Sequence, residues 1–402
     1  MPRVHLPLGN LRAVVILIVV AFHAVLPYLA SQPAEPFAFD VAPYRWMAFP
    51  IIDRERFFGF DLFCAWQDVS LMTLMFLLAG LFTAPSLNRK GPLAYLSDRG
   101  LRIAVPFLLA TAILAPLAYF ASYLTTAADP TLAAFARHWL ALPMWPAGPA
   151  WFLWQLFVLS AAAVALRTLA PQWLETLRRL AAWFDDHPLG FFATLVAITT
   201  LAYVPLALAF SPWDWSSLGP FAVQLSRPLT YLVYFFAGFA LGSQGVDRGL
   251  LQSDGVLARH WMLLLMAAIV TMATWGLFTS LTLPDWNASP LAYRLMAALA
   301  FPPACASGVF CLLAIALRFL NFRDRILDSL SVNAYSIYLL HYAAVVWLQY
   351  ALLAVALSAV AKGTIVFALA LGSSWVASAG LSSLVALVPG LGVKATMADQ
   401  RR

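Results

Sequence analysis

The stretch LRAVVILIVVAFHAVLPYLA, residues 11–30, decides the fold class, because it is apolar and long enough to cross a bilayer as a helix. It carries two ionisable residues, Arg12 at its start and His23 halfway along. An α-helix turns about 100° per residue, so the eleven steps between these residues leave an offset of only about 20°. Both side chains are therefore predicted to lie on one helix face, about 16 Å apart along the axis.

The shared face of Arg12 and His23 has two interpretations. An ionisable group at membrane depth usually faces a bundle interior or a wet cavity, which would make the pair functional. The alternative is an imidazole bonded to a neighbouring helix, beside an arginine that follows the positive-inside tendency. Features elsewhere in the chain shift the balance towards function.

The composition is that of a membrane protein. Of the 402 residues, 63% are hydrophobic and only 10% are charged, and the mean hydropathy is +0.83. Water-soluble domains carry about 25% charged residues. The net charge of +6 needs no nucleic-acid partner, since in a membrane protein such an excess usually lies in cytoplasmic loops. Three scattered cysteines predict neither a disulfide framework nor a zinc site, and no other metal-ligand cluster stands out.

Apolar runs near the ~20 residues needed to cross a bilayer recur along the whole chain. The ten predicted spans are 11–31, 69–86, 101–123, 150–168, 190–210, 228–244, 260–281, 296–318, 332–356 and 363–386. No charge run or low-complexity segment interrupts them. We therefore predict an all-α, polytopic membrane protein with one domain over residues 1–402, comprising a core at 9–388 and a short cytoplasmic tail at 389–402.

The distribution of basic residues predicts the orientation. With the N-terminus inside, the inner segments hold 17 of the 24 Lys and Arg residues and the outer segments hold 7. This bias follows the positive-inside rule and predicts that both termini are cytoplasmic. The first outer segment, residues 31–68, is rich in acidic and aromatic residues. It could form a lid or a sugar-binding shelf, or its aromatic residues could form an interfacial belt. These aromatic residues are Trp46, Phe57, Phe58, Phe60, Phe63 and Trp66.

A second histidine, His341, is predicted at the same depth as His23. The ninth span enters from the cytoplasm, which places His341 about 16–18 Å deep at 1.5 Å per residue. Tyr338 lies three residues earlier and shares its face, so that face is a candidate polar lining. Asn333 and Tyr335 precede them in the same helix. The alternative is a purely structural imidazole.

Two further pairs of residues lie near predicted span ends. Arg99 and Arg102, three apart on the inner side, would project together from a helix. Two guanidiniums so placed suit a phosphate or pyrophosphate, and ordinary juxtamembrane charge is the alternative. Trp151 and Gln155, four apart at the outer start of the fourth span, could meet a polar acceptor, whereas a belt tryptophan is the alternative.

Several short motifs occur in a fixed order along nearly the whole chain. They are Leu11-Arg12-Ala13 with His23, LMTLMFLLAGLF at 71–82, Arg99-Gly100-Leu101-Arg102, Trp151-Phe152-Leu153, Phe235-Phe236-Ala237-Gly238 and Tyr335-Ser336-Ile337-Tyr338-Leu339-Leu340-His341. Together they resemble the membrane acyltransferase 3 family, the multispan bacterial O-acyltransferases that modify sugars and envelope glycans. The chain departs from that family's pattern in three places. Asn10 stands where many relatives have Asp, Ala13 where they have Gly, and Trp154-Gln155 where one subgroup has an acidic pair.

The resemblance implies acyl transfer in a bacterial inner membrane, from cytoplasmic acyl-CoA to a hydroxyl of a carbohydrate or envelope glycan. The acyl group would be acetyl, with succinyl as the variant, and acyl-CoA would be a co-substrate rather than a permanently bound cofactor. The implied partners are the lipid bilayer, acyl-CoA and the glycan acceptor.

The resemblance also implies roles for the candidate residues. His23 would act as general base or carry the acyl group. Arg12 would add a cation to the site that holds the CoA phosphates or orient the thioester. Arg99 and Arg102 would hold the CoA phosphates. His341 with Tyr335 or Tyr338 would position the acceptor or stabilise the oxyanion. Asn333, Trp151 and Gln155 are further candidates for contact with the substrate. The main alternative function is a transporter or exporter of a glycan or small metabolite.

Overall fold

Helices make up most of the computed structural model, which describes the backbone of residues 5–387 and the side chains of residues 5–380. The helices are α1 Leu6–Val25, α2 Phe58–Lys90, α3 Pro92–Arg99, α4 Val105–Leu109, α5 Ala115–Leu124, α6 Leu132–Ala141, α7 Trp151–Leu169, α8 Pro171–Asp185, α9 Pro188–Phe210, α10 Pro228–Gln244, α11 Val256–Arg259, α12 Trp261–Ser280, α13 Leu291–Phe319, α14 Arg325–Ala351 and α15 Ala359–Leu387. Two π-helical segments, Gly100–Ala104 and Ala110–Leu114, join α3, α4 and α5 into one continuous stretch. The predicted tail at 389–402 lies outside the described residues.

Eight helical stretches within the described residues are long and apolar enough to cross a membrane. They are Leu6–Tyr28, Phe58–Lys90, Pro92–Leu124, Gly148–Leu169, Pro188–Phe210, Trp261–Ser280, Leu291–Phe319 and Ala359–Gly380. The two other predicted spans are also helical: α10 has 17 residues, and α14 begins with the polar turns around Asp328. The prediction of an all-α, multi-pass membrane protein is confirmed, and the count of ten spans stays a prediction.

The chain folds as two compact units, each built from separate parts of the sequence. Unit 1 comprises residues 1–62, 113–141 and 322–402, and unit 2 comprises residues 63–112 and 142–321. The single domain and the inner position of the termini stay predictions.

Unit 1 is organised around α14, which packs against α1, α5 and α15. The side chain of Asn10, which is buried on α1, donates a 2.8 Å hydrogen bond to the carbonyl of Phe322 just before α14. The helix start itself is capped by Asp324, whose carboxylate accepts the backbone N–H groups of Ile326 and Leu327. These contacts fix the start of α1 against the start of α14.

An irregular segment of unit 1, residues 29–57, is held in place by a buried ion pair. Asp53 and Lys362 lie 2.8 Å apart, and both side chains are only 2% exposed. Trp46 is also buried, with its ring stacked on Phe39 and its Nε1–H donated to the Phe39 carbonyl at 2.8 Å. Trp46 therefore belongs to the core of this segment and takes no part in an exposed shelf.

Unit 2 brings α2 and α10 into very close contact. A Cβ atom at Gly80 would overlap the backbone carbonyl of Phe235, and one at Gly238 would overlap that of Leu77. Small residues allow such an approach of helices in a membrane. The two glycines recognised in the sequence motifs at 71–82 and 235–238 are thus the contact points of one helix pair.

The remainder of unit 2 contains two elements that hydropathy alone did not predict. Helix α8 buries Leu174, Ala181 and Phe184 against its neighbours within the unit. A short antiparallel hairpin joins α9 to α10 and consists of β1, Trp215–Leu218, and β2, Phe221–Gln224.

Candidate functional site

The central feature of unit 1 is a contact between the two histidines predicted at membrane depth. His341 Nε2 lies 3.3 Å from His23 Nδ1, and the two ring centroids are 5.0 Å apart. His341 is fully buried and His23 is half-buried. The prediction that the two residues share one level is consistent with this contact, which periodicity could not establish.

The hydrogen-bond partners of His341 define the protonation of the pair. His341 Nδ1 faces two backbone carbonyls, those of Tyr338 at 2.8 Å and Ile337 at 3.2 Å, so this nitrogen carries the proton and donates. In the neutral ring, His341 Nε2 is then an acceptor. His23 Nδ1 must accordingly carry a proton, which it shares between the Val19 carbonyl at 2.9 Å and His341 Nε2.

The consequence for His23 is that its other nitrogen, Nε2, carries the lone pair. Within the described residues Nε2 makes no hydrogen bond. A neutral imidazole with an unprotonated, unpartnered nitrogen is able to take a proton from a hydroxyl or to attack a carbonyl carbon. The Val19 carbonyl and His341 Nε2 thus both favour this tautomer of His23.

Two residues that the sequence did not identify also hold His23. The amide of Gln349 donates to the carbonyl of His23 at 2.7 Å, at the end of α1 where helical partners run out. The ring of Tyr342 meets the His23 ring nearly perpendicularly at 5.3 Å. Tyr342 and Gln349 are seven residues apart on α14, so the period of the helix was the available signal.

A chain of hydroxyl groups continues from Tyr342 towards the irregular segment at residues 29–57. The Tyr342 hydroxyl donates to the Tyr119 hydroxyl at 3.3 Å, which in turn donates to the Met47 carbonyl at 2.8 Å. Both hydroxyl protons point away from His23. Tyr342 thus presents only its ring to the imidazole.

Arg12 lies on α1 and its side chain is exposed. It makes no hydrogen bond or ion pair with the described residues. Its placement eleven residues before His23 in one continuous helix fits the predicted common face.

The other ninth-span candidates differ in position. Tyr338 is buried, and its ring centroid is 6.1 Å from that of His341. Asn333 accepts a 2.7 Å hydrogen bond from Ser378 on α15 and donates to the Ser329 carbonyl, so it joins two helices. Tyr335 is half-buried. The roles predicted for these residues remain predictions.

In unit 2, Arg99 and Arg102 both reach back one turn to a partner. Arg99 Nε donates to the Tyr95 hydroxyl at 2.9 Å, and Arg102 pairs with Asp98 at 2.8 Å. Asp98 also binds Lys90. Arg102 lies in the π-helical segment that follows α3, a form that often marks functional sites. Their binding of CoA phosphates remains a prediction.

Trp151 and Gln155 lie side by side on α7 of unit 2 but have different environments. Trp151 is half-buried among aromatic rings, at 5.9 Å from Tyr231 and 5.3 Å from Trp215. Gln155 is buried and donates at 3.3 Å to the carbonyl of Ala222 on β2. Gln155 therefore anchors the hairpin, whereas Trp151 keeps part of its ring accessible.

No group of three or more His, Cys, Asp or Glu side chains that could hold a metal ion occurs in the part of the chain that the structure describes.

Comparison with known families decides the class of chemistry. A family model described as an acyltransferase domain, that of the membrane acyltransferase 3 family, matches residues 8–379, nearly the whole chain. The chain belongs to this family. This membrane acyltransferase is therefore an enzyme, and transport as its main activity loses its support. No curated protein and no solved structure matches the chain.

Proposed function

We propose that this membrane acyltransferase transfers an acetyl group from cytoplasmic acyl-CoA to a hydroxyl of a carbohydrate or envelope glycan. A succinyl group is the alternative acyl group. The membrane would be the inner membrane of a bacterium. The observation that carries the proposal is the 3.3 Å contact between His341 Nε2 and His23 Nδ1, which leaves the lone pair of His23 on Nε2.

In the direct route, His23 Nε2 removes the proton of the acceptor hydroxyl while the oxygen attacks the thioester carbonyl. The tetrahedral intermediate then collapses, the carbon–sulfur bond breaks, and CoA leaves as a thiolate. The imidazolium of His23 returns its proton to that thiolate. The products are the ester and free CoA, and the histidine ends as it began.

In the covalent route, His23 Nε2 itself attacks the thioester and carries the acyl group. The carbon–sulfur bond breaks, and CoA leaves as a thiolate. The acceptor hydroxyl then attacks the acyl carbon of the acyl-imidazolium, the carbon–nitrogen bond breaks, and the hydroxyl proton passes through the freed imidazole to the thiolate. Both routes need Nε2 unprotonated, so the geometry of the histidine pair supports either one.

The remaining candidates take supporting roles in this reaction. Arg12, exposed and unpaired among the described residues, would orient the thioester or stabilise the developing negative charge. Tyr338 would line the acceptor side of the pair. Arg99 and Arg102 would bind the CoA phosphates as planar forks of donors, in exchange for their contacts with Tyr95 and Asp98.

The test is transfer of radiolabelled acyl groups from acetyl-CoA and succinyl-CoA to an envelope-glycan extract. Membranes would carry wild type, His23→Ala or His260→Ala at equal abundance. His260 is a matched control, because its Nδ1 bonds the Val256 carbonyl at 2.9 Å, as His23 bonds Val19, but it is exposed. We expect loss of about 10²–10⁴ in rate for His23→Ala, the usual worth of a general base, and none for His260→Ala.

The same membranes separate the two routes. Label that stays on the protein when acceptor is withheld, and that is released by hydroxylamine, indicates the covalent route. Equal glycan labelling by wild type and His23→Ala would remove His23 from the chemistry. An absence of glycan labelling with both donors would refute the proposed donor and acceptor.

A further inference from the structure

Unit 2 contains a buried arginine that holds an exposed carboxylate in place. Arg227 Nη2 lies 2.5 Å from Asp68 Oδ2, and Arg227 Nη1 donates to the backbone carbonyl of Asp68 at 2.5 Å. The Arg227 side chain is 2% exposed, whereas that of Asp68 is 40% exposed. The guanidinium also lies over the ring of Phe301 at 4.9 Å. Asp68 is thus fixed in one orientation with part of its carboxylate open.

An aromatic platform lies beside this ion pair. Tyr231 stacks on Phe76 at 4.6 Å and on Trp151 at 5.9 Å. Trp151 in turn meets the edge of Trp215 at 5.3 Å, and Trp215 is 46% exposed. The series of rings therefore begins at the buried Tyr231, one helical turn after Arg227, and ends at the exposed ring of Trp215.

The hairpin joins the ion pair to the exposed ring. Trp215 on β1 pairs with Gln224 on β2, and the backbone N–H of Arg227 donates to the Gln224 carbonyl at 3.0 Å. Gln224 is itself fixed by a 2.7 Å bond from its amide to the Pro212 carbonyl. The positions of Trp215 and Arg227 are therefore coupled through one short, rigid element.

We propose that Asp68, Trp151 and Trp215 form a carbohydrate subsite on unit 2, with Arg227 as the residue that positions the carboxylate. This inference rests on the proposed function, because the glycan acceptor of that reaction is the ligand. A carboxylate accepts hydrogen bonds from sugar hydroxyls, and the faces of tryptophan rings pack against the apolar faces of sugar rings. Ligand sites typically combine a few polar groups with aromatic side chains.

An interfacial aromatic belt does not account for the whole arrangement. A belt requires only amphipathic rings at the membrane boundary. Burying a guanidinium is costly unless its partners compensate for the lost water. Here the buried guanidinium orients a carboxylate that is partly exposed, an arrangement that serves recognition better than it serves stability.

The test measures glycan binding directly, without acyl transfer. Purified protein in nanodiscs is dialysed against a soluble envelope-glycan extract labelled with a fluorophore at its reducing ends. The variants are Trp215→Ala, Asp68→Asn and the control Trp213→Ala. Trp213 lies in the same connection and is 40% exposed, but its ring contacts Trp286 instead of Trp151. Trp215→Ala alters an exposed side chain, so its fold is preserved, and thermal unfolding verifies this for each variant.

We expect Trp215→Ala and Asp68→Asn each to weaken binding at least about tenfold, equivalent to about 1.4 kcal/mol, and Trp213→Ala to bind as wild type does. In acyl transfer, the same two variants should raise the KM for the glycan and leave the KM for acyl-CoA unchanged. Equal binding by all four proteins would place the glycan elsewhere and overturn the subsite. An absence of glycan binding by wild type would also overturn the subsite. The proposed role of His23 would survive that result if wild type still transfers acyl groups to another acceptor.

Discussion

The proposed tautomer of His23 leads to a graded prediction for substitutions of His341. In His341→Leu, the acceptor that faces His23 Nδ1 is removed, but the Val19 carbonyl still accepts the Nδ1 proton at 2.9 Å. The lost bond is long, at 3.3 Å, and links two neutral groups. Such a bond contributes about 0.5–1.5 kcal/mol, which corresponds to about 2- to 13-fold in rate if it acts only through tautomer selection.

The same reasoning predicts that His341→Gln retains most of the activity. The Gln side chain can place its carbonyl oxygen where His341 Nε2 lies and accept the same proton. The assay is initial-rate acyl transfer at saturating acyl-CoA, with wild type, His341→Leu, His341→Gln and His23→Ala at equal abundance. The expected order is wild type, Gln, Leu and then Ala, with the last step the largest because a general base is worth about 10²–10⁴.

Two results would refute this reasoning. A rate for His341→Leu as low as that for His23→Ala would mean that His341 itself takes part in the chemistry. An unchanged rate for His341→Leu would mean that the contact does not select the tautomer. Thermal unfolding of each variant shows whether a low rate reflects loss of folded protein.

Three further predictions concern stability. Lys362→Met leaves Asp53 charged and buried, so it should destabilise unit 1 by about 3–5 kcal/mol in denaturant unfolding, and adding Asp53→Leu should recover most of this loss. Gly238→Ala places a methyl group against the Leu77 carbonyl, so it should lower the thermal midpoint. Hydrogen bonds from two arginines lower the pKa of Glu175 from 4.5 to about 2, so the stability difference between wild type and Glu175→Gln should be constant above pH 5 and decline from there to pH 2.

Each of these predictions has a control within the chain. Gly276→Ala is the counterpart of Gly238→Ala, because a Cβ there meets nothing within 4 Å, and it should leave the midpoint unchanged or raised. For the ion pair, a double variant no more stable than Lys362→Met would show that packing, not the unpaired charge, causes the loss. For Glu175, a difference that persists to pH 2 would show that its hydrogen bonds do not depend on ionisation.

Hydropathy predicted the long helices because a bilayer forces apolar runs of about 20 residues into helices. It failed where polar residues extend a helix. Helix α2 begins at Phe58, eleven residues before the predicted span, because its two acids have partners. Asp61 accepts the backbone N–H groups of Ala30 and Ser31, and Asp68 binds Arg227. Such partners are distant in sequence, so an average of hydropathy over a short stretch of sequence cannot include them.

The candidate site was predictable only in part, and for a definite reason. Helical period placed Arg12 and His23 on one face, and counting from the membrane edge put His341 at a similar depth. Neither argument could tell which helices touch. The tautomer depends on single atoms, the carbonyls of Tyr338 and Ile337, and these become relevant only once the two rings face each other. Roles for Arg99 and Arg102 remain predictions, since their present partners are local.

Two ion pairs, each with a buried cation, show how a chain with few charges uses them. Replacing a buried pair with apolar residues often costs nothing, so stability alone is a weak reason for such pairs. Both pairs instead connect a helix to a segment that hydrophobic burial cannot orient. Lys362 holds the irregular segment at residues 29–57 through Asp53, and Arg227, beside the hairpin, holds the partly exposed carboxylate of Asp68. Arg227 thus serves the carbohydrate subsite proposed on unit 2, because it fixes the orientation of the Asp68 carboxylate, whereas Lys362 fixes the segment that carries Asp53.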